Sequence, residues 1–340
     1  MHVLVATLPS LGHLLPMEVV VRALVKRGHT VTWLTWPRAA AVVKRAGATL
    51  LPLTAPLSFT PAPMAEWIAR LRDGDFVTAQ ANALATFECD VVLADPTLGG
   101  VADWAGETAT PLHQLGIIPF LGVSPHATQL WQTTLQECEP WRLWHGQPVT
   151  FTGPLAVPTQ WTPPSWWTNL ADERPRIVVT QGTLATDPTA LIQPAVAALK
   201  TLPVLPLVTA DPVVSGCPTS AAWMPLPTVL PGAALLVTNG GYGGIQAALT
   251  AGVPVLVAGD TEENPANGMR VEYAGVGGYL APPYTAERLK EAIVTIMQTP
   301  RFYERARELQ GRLPTRPAAE TIADGVTAPP TAATAAERAA

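Results

Sequence analysis

The chain has 340 residues, of which 48% are hydrophobic and 14% are charged, and its net charge of −5 argues against a nucleic-acid partner. Its three cysteines, Cys89, Cys138 and Cys217, are widely separated and form neither a metal-ligand pattern nor a disulfide framework. Because no apolar run reaches the ~20 residues of a membrane span and the start is too short for a signal peptide, we expect a cytoplasmic protein with no membrane span. The length favours two domains.

The first unit has the pattern of a strand, a helix and a second strand. Residues 3–7 are a predicted buried strand and residues 9–13 the turn after it. Residues 14–27 have helical periodicity, and residues 29–34 are the second predicted strand. This βαβ order places His13 at the carboxyl end of the first strand, where sites in parallel sheets gather.

His13 is a candidate general base. The ordinary pKa of a histidine is about 6.5, so a neutral imidazole can accept a proton at working pH. The alternative from position alone is a histidine that only caps the helix or completes the turn.

Asp95 ends the next strand predicted after this unit. A helix and a short strand over residues 38–53 lead to a proline-rich loop, residues 54–63, and to helices over residues 64–71 and 76–87. Residues 89–94 form a strand, and Asp95 stands at its carboxyl end. Asp95 is either a functional carboxylate or a turn residue before Pro96.

Tryptophans are concentrated in the middle of the chain. Residues 115–118 are a short predicted strand, and Trp131, Trp141 and Trp144 follow it. We favour packing of these three side chains in a small helical cap over stacking on a ligand. Residues 154–175 are rich in proline and tryptophan and form the predicted linker between domains.

A glycine-rich turn dominates the second half. Residues 176–180 and 205–209 are predicted strands, with the turn Gln181-Gly-Thr183 after the first. An apolar run over residues 234–237 then leads to Gly240, Gly241, Gly243 and Gly244, followed by a helix over 245–251, a strand over 253–258 and an acidic loop over 260–264. A glycine turn at a helix N-terminus suits a phosphate, although a purely structural turn is the alternative.

The remaining segments are helical. Helices are predicted over residues 269–275, 285–298 and 300–310. The predicted organisation is a first Rossmann-like domain over 1–153, the linker, a second Rossmann-like domain over 176–316, a closing helix over 317–326 that returns to the first domain, and a disordered tail over 327–340.

Several linked motifs resemble the nucleotide-sugar signature of family 1 glycosyltransferases, of the UDP-glycosyltransferase and macrolide type. They are Trp223-Met-Pro225, Val229-Leu-Pro231, Thr238-Asn-Gly-Gly241, Gly252-Val-Pro254 and Glu263-Asn-Pro265. At the other end of the chain, Gly12, His13 and Pro16 match the family's Gly-His-x-x-Pro opening. The N-terminal half is shorter than in typical members, which identifies a bacterial-type member with a shortened acceptor domain.

This resemblance implies an α/β fold of the GT-B type, with two Rossmann-like domains of parallel strands facing each other across a cleft. It implies inverting transfer of a hexose from a UDP- or dTDP-sugar to a hydroxyl of a small hydrophobic or phenolic acceptor. In the family's pattern His13 is the base and Asp95 holds it. The resemblance assigns binding of the diphosphate to Thr183, Asn239, Gly240 and Gly241. It assigns binding of the nucleoside to Trp223 and Gln246, and binding of the sugar to Glu263 and Asn264.

No cofactor is expected, since the nucleotide sugar is a co-substrate. Because no carboxylate pair of the kind that binds a divalent ion stands at the glycine turn, we also expect no metal requirement.

Two positions depart from the family's pattern. Asn239 replaces the usual phosphate-binding histidine, and Ala247 stands where a glutamate grips the ribose, with Gln246 beside it as a substitute. The short N-terminal half leaves little chain to cover the acceptor side of the cleft. We therefore expect many acceptors to be used with weak affinity, and some of the donor to be hydrolysed. A GT-B sugar-nucleotide epimerase and a non-catalytic glycosyltransferase-like partner protein remain the alternatives.

Overall fold

A computed structural model describes residues 1–117, 123–140, 148–157, 161–168, 170, 172–185 and 187–329 of the chain. The strands are β1 (His2–Ala6), β2 (Thr30–Thr35), β3 (Thr49–Pro52), β4 (Val91–Ala94), β5 (Leu112–Gly116), β6 (Ala127–Gln132), β7 (Val149–Phe151), β8 (Arg176–Thr180), β9 (Leu205–Thr209), β10 (Ser220–Ala221), β11 (Leu235–Thr238), β12 (Val255–Val257) and β13 (Gly277–Tyr279).

The helices lie between these strands. They are α1 (Leu11–Lys26), α2 (Ala40–Ala46), α3 (Met64–Leu71), α4 (Gly74–Leu84), α5 (Gly99–Glu107), α6 (Ser165–Thr168), α7 (Ile192–Leu199), α8 (Leu226–Val229), α9 (Tyr242–Ala251), α10 (Asn264–Ala274), α11 (Ala286–Met297), α12 (Pro300–Gly311) and α13 (Ala318–Val326), with short 3₁₀ turns at Pro37–Ala39 and Gln136–Cys138. No helix in the described ranges is long and apolar enough to cross a membrane.

The strands form two parallel sheets. The first has the order β3-β2-β1-β4-β5-β6-β7 and the second the order β10-β9-β8-β11-β12-β13. Strands such as β1 and β4 are apolar throughout because helices cover both faces of the sheet, and their side chains are buried on each side. The order in which strands are added to each sheet changes direction between two central strands. These are β1 and β4 in the first sheet and β8 and β11 in the second. Open parallel sheets bind ligands at the carboxyl ends of such strands.

The last helix returns to the first domain. Helix α13 packs against α1, and Ile322 and Ala323 are fully buried in the core that lies under the first sheet. Arg27 of α1 forms ion pairs with Glu320 and, at 2.8 Å, with Asp324. The first domain therefore draws part of its core from the end of the chain.

Three helices begin earlier than the periodicity predicts. Helix α1 starts at Leu11, with the extended Ser10 as its N-cap, so His13 lies in the first helical turn and not in a preceding loop. Helix α9 starts at Tyr242, and α10 starts at Asn264, where Pro265 occupies a first-turn position that proline tolerates. Short polar or glycine-rich first turns contribute no apolar periodicity, which explains the difference.

The helical cap predicted for three tryptophans is wrong for Trp131. Trp131 lies in strand β6, where its ring packs against Gly325 of α13 and its indole nitrogen donates to His113 at 3.1 Å. Packing is confirmed for Trp131, since only 8% of it is exposed. Trp141 and Trp144 lie outside the described residues. The linker tryptophans Trp161, Trp166 and Trp167 pack on the second-domain core.

Candidate active site

His13 and Asp95 form a hydrogen-bonded pair at the carboxyl edge of the first sheet. Strands β1 and β4 are neighbours in register, with Ala6 opposite Ala94, so the segments that follow them meet. The His13 Nδ1 atom bonds to the Asp95 Oδ2 atom. Because Asp95 holds Nδ1, the other ring nitrogen, Nε2, is the one placed to accept a proton.

Asp95 is itself fixed by the turn that follows. Its side chain is fully buried, and its second oxygen, Oδ1, accepts from the Thr97 backbone N–H at 3.0 Å and from the Thr97 hydroxyl at 2.9 Å. Both carboxylate oxygens are therefore engaged, and the imidazole has a fixed orientation.

The pKa of His13 lies above its ordinary value. Burial by itself lowers this pKa, but the charge of Asp95, the hydrogen bond to Asp95 and the charge of Glu263 together outweigh burial. The protonated imidazole is consequently favoured more strongly than in an isolated histidine.

Glu263 faces this pair from the second domain. It lies in the loop after β12 as the N-cap residue of α10. Burial raises its pKa, and the charges of Glu262 and Asp95 act in the same direction, against a backbone hydrogen bond and His13. The loop that carries Glu263 also contacts the first domain directly, since the Glu262 N–H donates to the Ala62 carbonyl oxygen at 2.7 Å. Both domains therefore lie next to this loop.

Two adjacent loops form a cradle at the edge of the second sheet. Strands β8 and β11 pair with Thr180 opposite Thr238. Each threonine hydroxyl accepts from the backbone N–H two residues on, Gly182 in one loop and Gly240 in the other, both at 3.2 Å. The loops face each other, so the predicted diphosphate residues of both lie at one place.

The glycine turn permits no side chain at its centre. Gly240 has φ +110°, and a Cβ there would lie 2.8 Å from Val257 Cγ1. Gly241 is the N-cap residue of α9, and its N–H lies 3.4 Å from the Asn239 side-chain oxygen. Thr183 is exposed in the facing loop. Thr183, Asn239, Gly240 and Gly241 thus surround a helix N-terminus, which favours an anion.

Sequence analysis missed Asn267. This side chain is 1% exposed, and its Nδ2 donates to the Gly240 carbonyl oxygen at 2.7 Å. It lies one helical turn after Asn264, on the face of α10 that points to the glycine turn. A buried asparagine inside a helix is the available signal, because a buried amide needs a hydrogen-bonding partner.

The predicted nucleoside residues lie in different environments. Trp223 is 43% exposed, next to the buried Met224, and its ring is available for stacking. Gln246 is buried and lines a small cavity between the domains together with Glu139, Tyr242 and Arg270, a set that does not include Trp223. The nucleoside-binding role of the two residues stays a prediction.

Asn264 is placed beside the sugar-binding candidate Glu263 but is only 2% exposed. Its Nδ2 lies 3.4 Å from Thr261 Oγ1 and 3.4 Å from Glu262 Oε2. Its amide N–H groups are directed into its own loop. Of the predicted sugar pair, Glu263 is the residue that faces His13.

In the described part of the chain no group of three or more His, Cys, Asp or Glu side chains could hold a metal ion. The expected metal independence stays a prediction.

Comparison with known proteins gives matches along the whole chain. Residues 210–328 match the family described as erythromycin biosynthesis protein CIII-like, C-terminal domain. The 4′-demethylrebeccamycin synthase of Lentzea aerocolonigenes is 28% identical, over 95% of this chain and 98% of its own. UDP-glucosyltransferase A1 of Starmerella bombicola is 39% identical, over 46% of this chain and 36% of its own.

Solved structures agree with the fold. The glycotransferase of kitacinnamycin superposes with a TM-score of 0.79 at 22% identity, over 96% of this chain and 98% of that one. The spinosyn rhamnosyltransferase SpnG complexed with thymidine diphosphate superposes with a TM-score of 0.77 at 18% identity, over 96% and 100%.

The two parallel sheets and these neighbours define the GT-B fold, in which two Rossmann-like domains face each other across a cleft. Along nearly its full length the chain is similar to bacterial natural-product glycosyltransferases, and its second half matches the C-terminal domain of the erythromycin biosynthesis protein CIII-like family. The fold class predicted from the motifs is confirmed, and the predicted resemblance to bacterial-type family 1 glycosyltransferases is supported by these relatives.

Proposed function

We propose that this enzyme transfers a hexose from a UDP- or dTDP-sugar to a hydroxyl of a small hydrophobic or phenolic acceptor, with inversion at the anomeric carbon. The observation that carries the proposal is the His13–Asp95 pair of the first domain, which faces Glu263 of the second. The proposed base therefore lies near the loop between β12 and α10, which carries Glu263.

In the proposed reaction the acceptor O–H gives its proton to His13 Nε2 while the oxygen forms a bond to the anomeric carbon. The bond from that carbon to the diphosphate oxygen breaks, and its electron pair leaves with the nucleoside diphosphate. Asp95 stabilises the imidazolium that forms, since its carboxylate already bonds to Nδ1. Attack from the side opposite the leaving group inverts the carbon.

The departing diphosphate is proposed to lie in the cradle of Thr183, Asn239, Gly240 and Gly241. The N-terminus of α9 offers free N–H groups and a partial positive charge there. Electrostatic stabilisation of the leaving group then comes from the protein, and we propose that no metal ion is needed. Trp223 is proposed to stack on the nucleobase.

The acceptor assignment rests on the first domain and on the relatives. Leu11, 48% exposed, lies two residues before His13 in the same helical turn and offers an apolar surface. A relative that covers nearly the full chain is named a demethylrebeccamycin synthase, and a second is named a UDP-glucosyltransferase. These names support a natural-product acceptor and a nucleotide-sugar donor.

The test is product mass after incubation of the purified chain with UDP-glucose or a dTDP-hexose and a panel of phenols, flavonoids, macrolides and sterols, with EDTA in a parallel series. We expect a glycoside of inverted configuration, formed equally with EDTA. An epimerised donor with no glycoside would identify an epimerase. No product from any donor or acceptor would indicate a non-catalytic protein.

A further inference from the structure

A short segment of the first domain, residues 62–67, contacts the loop of the second domain that carries Glu263. We call this segment the strap. We infer that the strap binds Glu262 and thereby makes it a positioning residue, which directs the neighbouring Glu263 towards His13 and the transferred sugar. This inference rests on the proposed function, because it assigns the residues that align the sugar for that reaction.

The first contact is made by backbone groups. The Glu262 N–H donates to the Ala62 carbonyl oxygen at 2.7 Å, and Pro63 and Glu262 form a parallel β-bridge. Glu262 has φ +48°, which is uncommon for a residue with a side chain. Such a conformation persists where its surroundings hold it, and functional loops are where it is most often found.

The second contact is made by the Glu262 side chain. Its Oε2 atom accepts from Thr261 Oγ1 at 3.1 Å and lies 3.4 Å from Asn264 Nδ2. The indole N–H of Trp67 lies near the same carboxylate, where it opposes the rise that burial gives to the pKa of Glu262. Glu262 is therefore bound to the strap through its backbone and to its own loop through its side chain. The next residue, Glu263, lies close enough to His13 for its charge to raise the His13 pKa.

The strap is itself fixed within the first domain. Arg70 donates to the carbonyl oxygens of Ser58, at 3.2 Å, and Thr60, at 2.8 Å, and its guanidinium lies 5.2 Å from the Trp67 ring. The Trp67 ring also packs against Phe59 at 6.2 Å. A strap that is held this way can transmit the position of the first domain to the Glu262 loop.

These contacts divide the donor site into two parts. The diphosphate cradle and Trp223 belong to the second domain alone. The position of Glu263 depends on both domains, because the residue before it is bound to the strap. The strap should therefore affect the sugar part of the donor and leave the nucleoside diphosphate part unaffected.

The experiment compares two variants with a matched control. Glu262→Gln removes the charge of the positioning residue, and Trp67→Phe keeps a ring but removes the indole N–H. Asp260→Asn is the control, because it removes a charge from the same loop at an exposed position outside these contacts. Donor KM, kcat, the ratio of donor hydrolysis to transfer, and the Kd of the nucleoside diphosphate are measured for each.

We expect Glu262→Gln to raise the KM for the sugar nucleotide about tenfold, as the loss of about one hydrogen bond implies, and Trp67→Phe to raise it less. In both variants the ratio of hydrolysis to transfer rises, because a misplaced sugar can react with water. The Kd of the nucleoside diphosphate stays within about twofold of the wild type, and Asp260→Asn changes nothing.

Two results would overturn the inference: an unchanged hydrolysis ratio and sugar-nucleotide KM in both variants, or an equal weakening of nucleoside diphosphate and sugar nucleotide. Glu262→Gly serves as a second variant if folding fails, because glycine accepts φ +48° and keeps the backbone bond to Ala62. We expect the same rise in the hydrolysis ratio from it. Lack of transfer by the wild type would instead refute the proposed function.

Discussion

At the scale of single residues, the proposed reaction depends on the side chain of His13. General base catalysis contributes about 10²–10⁴ in rate, so His13→Ala should lower kcat by that factor with an alkyl alcohol as acceptor. The loss should be smaller with an acidic phenol, which needs less help to lose its proton. Steady-state kinetics with both acceptors measures this, and full activity of His13→Ala on the alcohol would remove His13 from the mechanism.

The raised pKa of His13 predicts the pH dependence of the reaction. The base must be neutral, and its folded-state pKa lies above 6.5, so kcat/KM for an alkyl alcohol should fall as pH falls through a value above 6.5. Asp95→Asn removes the negative charge that raises this pKa and leaves at most a neutral hydrogen-bond acceptor, while burial still lowers it. The acidic limb should then move to lower pH and the plateau should fall. A limb that stays in place would mean that another group titrates.

The pairing of His13 with Asp95 could be predicted because it follows from topology. Each residue comes directly after a strand, and the carboxyl ends of neighbouring parallel strands meet at one edge. The bond from Asn267 to the Gly240 carbonyl and the contact of Glu262 with Ala62 could not be predicted. Both depend on how side chains and loops distant in sequence pack, and no periodic pattern records that packing.

At the scale of elements, the glycine turn before α9 is constrained at one position and free at another. Gly240→Ala places a Cβ at φ +110° against Val257 and Asn264, and should destabilise the protein by about 1–3 kcal/mol. Gly243 lies in the first turn of α9 with no atom within 4 Å of an added Cβ. Gly243→Ala should be neutral or stabilising by up to about 1 kcal/mol. Urea unfolding without ligand compares the two, and equal stabilities would contradict the described turn.

Asn267 connects helix α10 to that turn. Asn267→Ala leaves the buried Gly240 carbonyl without its donor, which costs about 1–3 kcal/mol and loosens the turn. Because the turn belongs to the predicted diphosphate cradle, the Kd of the nucleoside diphosphate should rise by more than that of the free nucleoside. Titration calorimetry with both ligands tests this, and an equal change for both would separate Asn267 from the phosphate.

Strand and helix types follow from the sequence more readily than their ends do. Strand β8 (Arg176–Thr180) and helix α3 (Met64–Leu71) have the predicted bounds. The start of α1 was missed because Leu11 and Gly12 follow a proline and a serine, a composition typical of a turn. Strand β6 was missed because Trp131 was assigned to a helical cap, whereas the ring packs on Gly325, almost two hundred residues away.

At the scale of the whole molecule, the domains are joined by α13 as well as by the linker. Ile322→Ala removes a fully buried side chain from the core of the first domain and should cost about 2–5 kcal/mol, while Ile322→Val should cost about 0.5–1.5 kcal/mol. Chemical denaturation of both variants gives these differences. Costs near zero for both would show that α13 is not part of that core.

The two-domain architecture could be predicted because apolar strands, glycine stops and linked motifs recur in both halves. The contacts between the two domains could not be predicted. The proline-rich segment 54–63 has no periodicity, and the strap next to it reaches a loop about two hundred residues away. The short acceptor side led us to expect an open cleft with donor hydrolysis. The strap contacts the loop that carries the predicted sugar-binding residues, and nothing in the sequence predicts that contact.

The return of α13 to the first domain also has a consequence for biosynthesis. On the ribosome the second domain has its strands and helices up to α12 before α13 is made, whereas the first domain still lacks the side chains of Ile322, Ala323 and Val326. Domains generally fold as units in the order of their synthesis, N-terminal first. Here the unit translated first is completed last, so the face of α1 that α13 covers stays uncovered in the nascent chain until α13 has left the ribosome and packs there.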